Sequence, residues 1–222
     1  MASYVATLES LEGKRVVALD IGSGGGVVGL SLARSRAWQV ERRERGDSLI
    51  VFNDIDPYSL AAAALNVEEG GLEERSDLAF CVDDLVGARP DAASLVRGLK
   101  EGRDEDGGGG DKGDTLLLVL CGDILYDRGF GSQALDWLRM LAATGREGAH
   151  GIEVEVLLGD PGRHVIGSMP EETRDETLEL VFECDLPRAR DRDVGEGGLA
   201  LVPSDGFTSG RVWRVRAEPT LL

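Results

Sequence analysis

The sequence has few histidines and cysteines and no excess of basic residues, and each shortage excludes a class of site. His150 and His164 are the only histidines, and Cys81, Cys121 and Cys184 form no C-x-x-C pair, so no zinc-site spacing exists. The formal net charge is −17, and no basic stripe of the kind that binds a phosphate backbone is evident. No apolar run is long enough to cross a bilayer. We therefore expect no metal, no nucleic acid and no membrane contact.

Cysteine usage and the first residues bear on the compartment. Three cysteines without paired spacing predict buried free thiols in a reducing compartment. The opening MASYVATLES lacks the basic and long apolar segments of a secretion signal. We expect a soluble intracellular monomer, in the cytoplasm or the mitochondrial matrix. Its negative charge would favour a cationic substrate such as a lysine side chain.

Apolar runs bounded by Gly and Pro predict alternating strands and helices in a single domain over 1–222. The predicted strands are 15–20, 48–54, 78–82, 116–123, 153–160, 177–184 and 211–217, with helices near 3–12, 27–36, 57–67 and 131–143. Residues 39–48 are charged and predict a solvated extension. Residues 87–114 predict an insertion whose Gly/Asp-rich part, 98–114, is a disordered loop. The predicted fold is α/β: a Rossmann-like, doubly wound sheet of seven strands with an antiparallel C-terminal hairpin.

The run ALDIGSGGGVVG follows the first predicted strand and has glycines at every second position after Asp20. Gly22, Gly24 and Gly26 predict a tight turn that lets the backbone approach an adenosine-type cofactor. With Gly29 the run also satisfies the dinucleotide pattern. A carboxylate at Asp20 would pair with the amino group of a methionine moiety, whereas it would repel a pyrophosphate. We therefore favour S-adenosylmethionine over NAD(P) or FAD, with a turn that binds no ligand as the third possibility.

Acidic residues follow the second and third predicted strands. Asp54 is predicted to accept both ribose hydroxyls, because ligands of such sheets bind at the carboxyl ends of the strands. Asp56 is better placed as a helix N-cap before Pro57. Asp83 is predicted to accept from the adenine amino group, with Asp84 as the alternative; both could also be ordinary loop acids.

The fourth and fifth predicted strands end in similar segments. Asp123 and Tyr126, three residues apart, can line one pocket in which the carboxylate bonds an amine and the ring packs on its carbon stem. The alternative is a turn acid beside a core tyrosine. Residues 159–163, GDPGR, form either a shaped active-site loop or a plain turn.

Several segments together carry a family resemblance: GKRVVALDIGSGGG, NDIDPYSLAAAALN, LVLCGDILYD, VLLGDPGR and TSGRVW. They resemble the class I, seven-stranded S-adenosylmethionine-dependent methyltransferases. Within that class they are most similar to the lysine methyltransferases of the electron transfer flavoprotein β subunit. Members of this family carry a segment rich in aromatics and Gly-Pro before the first helix, whereas this chain begins at about that helix.

The resemblance implies a protein-lysine methyltransferase that uses S-adenosylmethionine and acts on the electron transfer flavoprotein β subunit. It implies that Asp123 and Tyr126 are the acidic-x-x-aromatic motif that frames the acceptor lysine. The predicted cofactor-binding residues are Asp20, Gly22, Ser23, Gly24, Asp54, Ile55, Asp83 and Cys121. Two alternatives stay open: a small-molecule, nicotinamide-like N-methyltransferase, and a truncated homologue that binds cofactor without catalysis.

Overall fold

The structure is a computed structural model that describes residues 1–5, 11, 14–45, 47–100, 115–145, 151–162, 164–185 and 209–217. The strands are β1 Arg15–Ile21, β2 Leu49–Asn53, β3 Leu78–Cys81, β4 Thr115–Cys121, β5 Ile152–Asp160, β6 Leu178–Asp185 and β7 Ser209–Val215. The helices are α1 Ala2–Val5, α2 Val27–Arg34, α3 Arg36–Arg45, α4 Pro57–Glu69, α5 Ala92–Gly98, α6 Arg128–Thr144, α7 His164–Gly167 and α8 Glu171–Thr177.

The strands form one sheet in the order β3-β2-β1-β4-β5-β7-β6. The first five are parallel, and β7 lies antiparallel between β5 and β6. The predicted fold, with its antiparallel C-terminal strands, is confirmed. The direction of winding reverses between β1 and β4, and in such sheets a crevice opens there beyond the carboxyl ends of the strands.

The central strands are buried on both faces. Every residue of β2 and β4 is buried, as is β1 after Arg15. Two apolar clusters cover the two faces: one includes the residues of α5 and α6, the other those of α2 and α3. This explains why these strands are continuous apolar runs rather than alternating ones.

Residues 39–48 do not form the predicted solvated extension, because most of them belong to α3. Trp38 is fully buried, and its indole Nε1 donates to Asp77 Oδ2 at 2.7 Å. Glu41 is also buried and accepts at 3.2 Å from the Ser48 hydroxyl, which in turn accepts from Val16 N–H. The charged composition did not indicate this helix. Hydrogen bonds of the Trp38 indole with Asp77 and of the Glu41 carboxylate with Ser48 hold α3 against the rest of the domain.

The predicted insertion over 87–114 contains a helix. Asp91 caps α5 by accepting from Ser94 N–H at 2.9 Å, and Ala92 and Val96 are buried. The backbone stays hydrogen-bonded as far as Lys100. Residues 101–114 lie outside the described residues, so the predicted disordered loop stays a prediction there. The same holds for most of the helix predicted over 3–12 beyond α1.

The three cysteines differ in exposure. All are free thiols; Cys121 is buried, Cys81 is partly buried and Cys184 is exposed. The prediction of burial is therefore wrong for Cys184, which lies near the end of the edge strand β6. None of the helices in the described part of the chain combines the length and apolarity needed to span a bilayer.

Candidate functional site

A cavity of about 270 Å³ lies beyond the carboxyl ends of the parallel strands. Residues from four successive connections line it: Gly22 after β1, Ile55 after β2, Asp84 after β3 and Tyr126 after β4. Because parallel strands end at the same edge of the sheet, segments far apart in the sequence meet here. The cavity lies at the carboxyl ends of the strands, where the sequence predicts that a ligand binds, and beside the point where the winding reverses.

The glycine turn reaches the cavity through Gly22. Gly22, Gly24 and Gly26 have φ angles of +62°, +51° and +76°, which side chains with a Cβ rarely adopt. At Gly26 an added Cβ would also lie 3.1 Å from Phe52 Cε1, whereas at Gly24 it would meet no atom within 4 Å. The Ser23 hydroxyl is buried and has no hydrogen-bond partner among the described residues. Neither Ser23 nor Gly24 is part of the cavity lining, so their predicted contacts with a cofactor stay predictions.

Asp54 joins the glycine turn to the end of β2. Its Oδ2 accepts from Gly24 N–H at 2.9 Å, and its Oδ1 accepts from Asp56 N–H at 3.0 Å. Each carboxylate oxygen has a second acceptor position, so these bonds leave Asp54 able to accept from two hydroxyls. Asp56 accepts from Tyr58 N–H at 3.0 Å, which confirms it as the N-cap of α4.

The two acids after β3 face different cavities. Asp84 lines the 270 Å³ cavity, and its Oδ1 accepts from Gly87 N–H at 2.9 Å. Asp83 instead lines a separate cavity of about 640 Å³ between β3 and α5. The geometry therefore favours Asp84, the alternative, as the acid that faces an adenine.

Asn53 is a site residue that the sequence analysis missed. Its side chain is buried, and Nδ2 donates to the Cys81 carbonyl at 3.0 Å and to the Asp83 carbonyl at 2.9 Å. Its own carbonyl accepts from Ser23 N–H at 3.0 Å. Asn53 thereby holds the connections after β1 and β3 against the end of β2. Its position directly before Asp54 is the feature of the sequence that could have indicated Asn53 as a site residue.

Asp20 and Cys121 belong to the inside of the sheet rather than to the cavity wall. Asp20 is 1% exposed, and its Oδ2 accepts from Gly29 N–H at 2.8 Å. Burial raises the pKa of the Asp20 carboxyl to about 7; the Gly29 bond opposes this and the Asp54 charge adds to it. Cys121 is fully buried, and burial raises the pKa of its thiol. The structure brings neither side chain to the cavity, so their predicted contacts with a cofactor stay predictions.

Asp123 and Tyr126 lie together at the cavity. Tyr126 is 68% exposed, and its ring centroid is 6.5 Å from that of Phe130. The alternative of a core tyrosine is therefore wrong. Asp127 accepts from Phe130 N–H at 2.8 Å and caps α6, which orients the segment. With Asp54, Asp84 and Asp123 on its walls, the cavity favours a cationic ligand.

The segment after β5 contributes little to this cavity. Asp160 is buried and accepts from Gly162 N–H at 3.0 Å, as in a local turn. The segment is not part of the cavity lining, and Arg163 lies outside the described residues. The plain-turn interpretation of GDPGR fits this arrangement better than a shaped active-site loop.

Two curated relatives carry the name that the resemblance predicted. The chain is 26% identical to the electron transfer flavoprotein beta subunit lysine methyltransferase of Danio rerio over 219 residues, which are 99% of this chain and 63% of the relative. It is 31% identical to the protein of the same name from Xenopus laevis over 152 residues, 68% of this chain and 44% of the relative. The chain thus spans less than two thirds of the length of either relative. No family model matches it.

A solved methyltransferase structure shares the fold. Precorrin-6y C5,15-methyltransferase from Geobacter metallireducens GS-15 superposes with a TM-score of 0.50 at 9% identity, over 98% of this chain and 87% of that one. The chain therefore shares the fold of this methyltransferase, and together with the two curated relatives this confirms the resemblance stated from its motifs.

Proposed function

We propose that this chain is an S-adenosylmethionine-dependent protein-lysine N-methyltransferase, with the electron transfer flavoprotein β subunit as its acceptor. One observation carries the proposal: a single cavity joins Gly22 and Asp54 with Asp123 and Tyr126. The first two belong to the adenosine-cofactor part of the predicted site, and the last two to the amine-binding part. The names of the two curated relatives support the choice of acceptor.

The cavity residues suit this cofactor. Asp54 would accept from the ribose hydroxyls and Asp84 from the adenine amino group, and both residues line the cavity. The acidic walls favour a ligand with a sulfonium and an ammonium group. When bound, S-adenosylmethionine supplies a methyl group on a good leaving group, so the protein mainly has to align the acceptor and exclude water.

Asp123 and Tyr126 would bind the acceptor amine. A free lysine has a pKa of about 10.4 and must lose a proton to become a nucleophile. Burial at the cavity mouth and a nearby positive charge lower that pKa, whereas the Asp123 carboxylate raises it. We therefore assign Asp123 first to positioning, through a hydrogen bond from the amine, and second to accepting the proton that leaves the nitrogen. Tyr126 would pack on the aliphatic stem.

The first experiment measures transfer of a labelled methyl group to the purified electron transfer flavoprotein β subunit. Wild type should label it, and Asp123→Asn should lower the rate by about 10²- to 10⁴-fold, the usual range for a proton-accepting group. Calorimetric titration of this variant with S-adenosylhomocysteine should show a cofactor affinity close to that of wild type, because Asp54 and Asp84 remain at the cavity. Asp136→Asn, at an exposed position of α6, is the matched control and should behave as wild type.

Other outcomes would overturn parts of the proposal. Undiminished transfer by Asp123→Asn would remove Asp123 from the mechanism. Methylation of nicotinamide without any protein acceptor would support the small-molecule alternative. Binding of S-adenosylhomocysteine with no transfer to either acceptor would support a homologue that only binds cofactor.

A further inference from the structure

Helix α4 exposes an apolar face to solvent. Tyr58, Ala61, Ala62 and Leu65 are all exposed, and their i, i+3, i+4, i+7 spacing puts them on one side of the helix. Tyr58 is 84% exposed and Leu65 is 61% exposed. We call these four residues the α4 face. It extends over about 10 Å of the helix axis.

The packing of α4 on the sheet uses other residues. Ala63 and Val67 are buried, and Leu60 packs against the apolar cluster on this side of the sheet. The α4 face is therefore additional to what the fold itself needs. Single exposed apolar side chains are ordinary, but a contiguous group of them is typical of an interaction site.

The α4 face is continuous with the candidate active site. Ile55 lines the 270 Å³ cavity and is 63% exposed, and only Asp56 and Pro57 separate it from Tyr58. Helix α4 therefore begins at the rim of the cavity and leads away from it. A partner lying along α4 could place one of its own side chains at the cavity mouth.

The charge around α4 selects the kind of partner. Residues 53–74 contain no lysine or arginine and six acidic residues: Asp54, Asp56, Glu68, Glu69, Glu73 and Glu74. A cation from α2, Arg34, lies at the end of α4, where it donates to the Gly70 carbonyl at 3.2 Å. Glu68 and Glu69 are exposed on the helix itself. A partner that covers the apolar residues would therefore bring basic groups against these carboxylates.

A second copy of this chain fits poorly. Pairing two α4 faces would bring both sets of acids together, and each chain already carries a net charge of −17. Like charges placed opposite each other in an interface disfavour association. A partner with the opposite charge has no such cost.

We propose that the α4 face is the docking surface for the protein acceptor, which binds it through a lysine-rich surface with apolar side chains. This rests on the proposed function for the identity of the acceptor. Tyr58 and Leu65 would supply the apolar contacts, since tyrosine is enriched among residues that dominate interface energies. Glu68 and Glu69 would pair with basic groups at the rim.

The test measures binding of the electron transfer flavoprotein β subunit to this chain by calorimetry, independently of methyl transfer. Tyr58→Ser with Leu65→Ser should weaken binding at least tenfold and raise KM for the acceptor with little change in kcat. Glu68→Lys with Glu69→Lys should also weaken binding and make it less sensitive to salt. Affinity for S-adenosylhomocysteine should stay unchanged in both variants, which shows that they fold.

Matched controls lie away from the α4 face. Met140→Ser changes another exposed apolar residue, on α6, and Glu172→Lys with Glu176→Lys makes the same charge change on α8. Both should bind the acceptor as wild type does.

Failure of wild type to bind the acceptor, or equal binding by the α4 variants, would overturn the docking proposal. So would a dimer in sedimentation that Tyr58→Ser dissociates. Binding without methyl transfer would instead contradict the proposed function and leave docking supported.

Discussion

At the scale of single residues, two acids of the cavity, Asp54 and Asp84, are held by backbone N–H groups. Asp54 accepts from two backbone N–H groups and Asp84 accepts from the Gly87 N–H. These bonds orient the carboxylates before any ligand arrives, so little reorganisation is needed on binding. Groups oriented in this way can discriminate between ligands, because they cannot turn away from an unsuitable charge.

The two neighbouring acids after β3 allow a direct test. Asp84→Ala should weaken binding of S-adenosylhomocysteine by about tenfold, the loss expected for one charge-assisted hydrogen bond. Asp83→Ala should leave this affinity within about twofold, because Asp83 lines the other cavity. Calorimetric titration of both variants decides the matter. The reverse order of effects would restore Asp83 as the adenine-binding residue.

Asp20 should make stability depend on pH. Burial raises its pKa from 3.8 to about 7, so the folded state holds a proton that the unfolded state has lost. Its contribution to stability is present at low pH and is lost as pH rises through about 7. From pH 5.5 to pH 8, the ionisation of Asp20 should lower the free energy of unfolding by about 2 kcal/mol.

Asp20→Asn keeps a side-chain oxygen for the Gly29 N–H and removes the titration. Urea unfolding measures the free energy of unfolding at both pH values. From pH 5.5 to pH 8, this free energy should fall by about 2 kcal/mol more in wild type than in the variant. Equal pH dependence of the two proteins would show that Asp20 is ionised in the fold throughout this range.

At the scale of elements, the strands were predictable, whereas helices α3, α5, α7 and α8 were not. Strands β1, β2 and β4 are apolar runs because both of their faces are covered, and such runs are visible in the sequence. Helix α3 reads RAWQVERRER, and its burial depends on polar bonds from Trp38 and Glu41 that hydropathy does not register. Helix α5 has only seven residues and lies within a charged, Gly-rich segment, so the composition of that segment did not indicate a helix.

The candidate site was predictable in its position but less so in its contacts. The carboxyl ends of the strands located Asp54, Asp123 and Tyr126 at one cavity. The sequence could not decide between adjacent acids, since which of Asp83 and Asp84 faces the cavity depends on the path of the chain after β3. It also could not show that the Asp20 carboxylate bonds to the Gly29 N–H, because that contact crosses a turn.

The anchor of α3 gives a prediction for the element. Trp38→Ala should destabilise the protein by about 3–5 kcal/mol, because it empties a fully buried site and removes a partner of Asp77. That carboxyl is buried, which raises its pKa, but its bonds to Arg75 and Trp38 outweigh this and hold the pKa below its usual value.

Trp38→Phe is the matched control, since it keeps most of the volume and loses the Nε1 bond. Urea unfolding should show that Trp38→Phe lowers the free energy of unfolding by about 1–3 kcal/mol, less than Trp38→Ala does. This loss is expected because one acceptor position of Asp77 is left without its donor. An equally small effect for Trp38→Ala would mean that α3 contributes little to the folded domain.

At the scale of the whole molecule, the sign of the charge separates the cofactor hypotheses that the glycine turn alone left open. The chain carries a net charge of −17, and Asp54, Asp84 and Asp123 all line the candidate cavity. A dinucleotide would bring a pyrophosphate to these carboxylates, which is repulsive. A ligand with a methionine moiety brings an ammonium group instead, and the same carboxylates attract it.

Thermal unfolding with each ligand tests this difference. S-adenosylhomocysteine at 100 times its Kd should stabilise the fold by about 2.7 kcal/mol, which for a chain of this size raises Tm by about 5–10 °C. NAD at the same concentration should leave Tm within about 1 °C, because a ligand that does not bind the folded state cannot shift the equilibrium. Asp54→Ala, compared with its own unliganded Tm, should lose most of the shift from S-adenosylhomocysteine. A larger rise in Tm with NAD than with S-adenosylhomocysteine would mean that the glycine turn binds a dinucleotide. The proposed function of the whole domain would then be wrong.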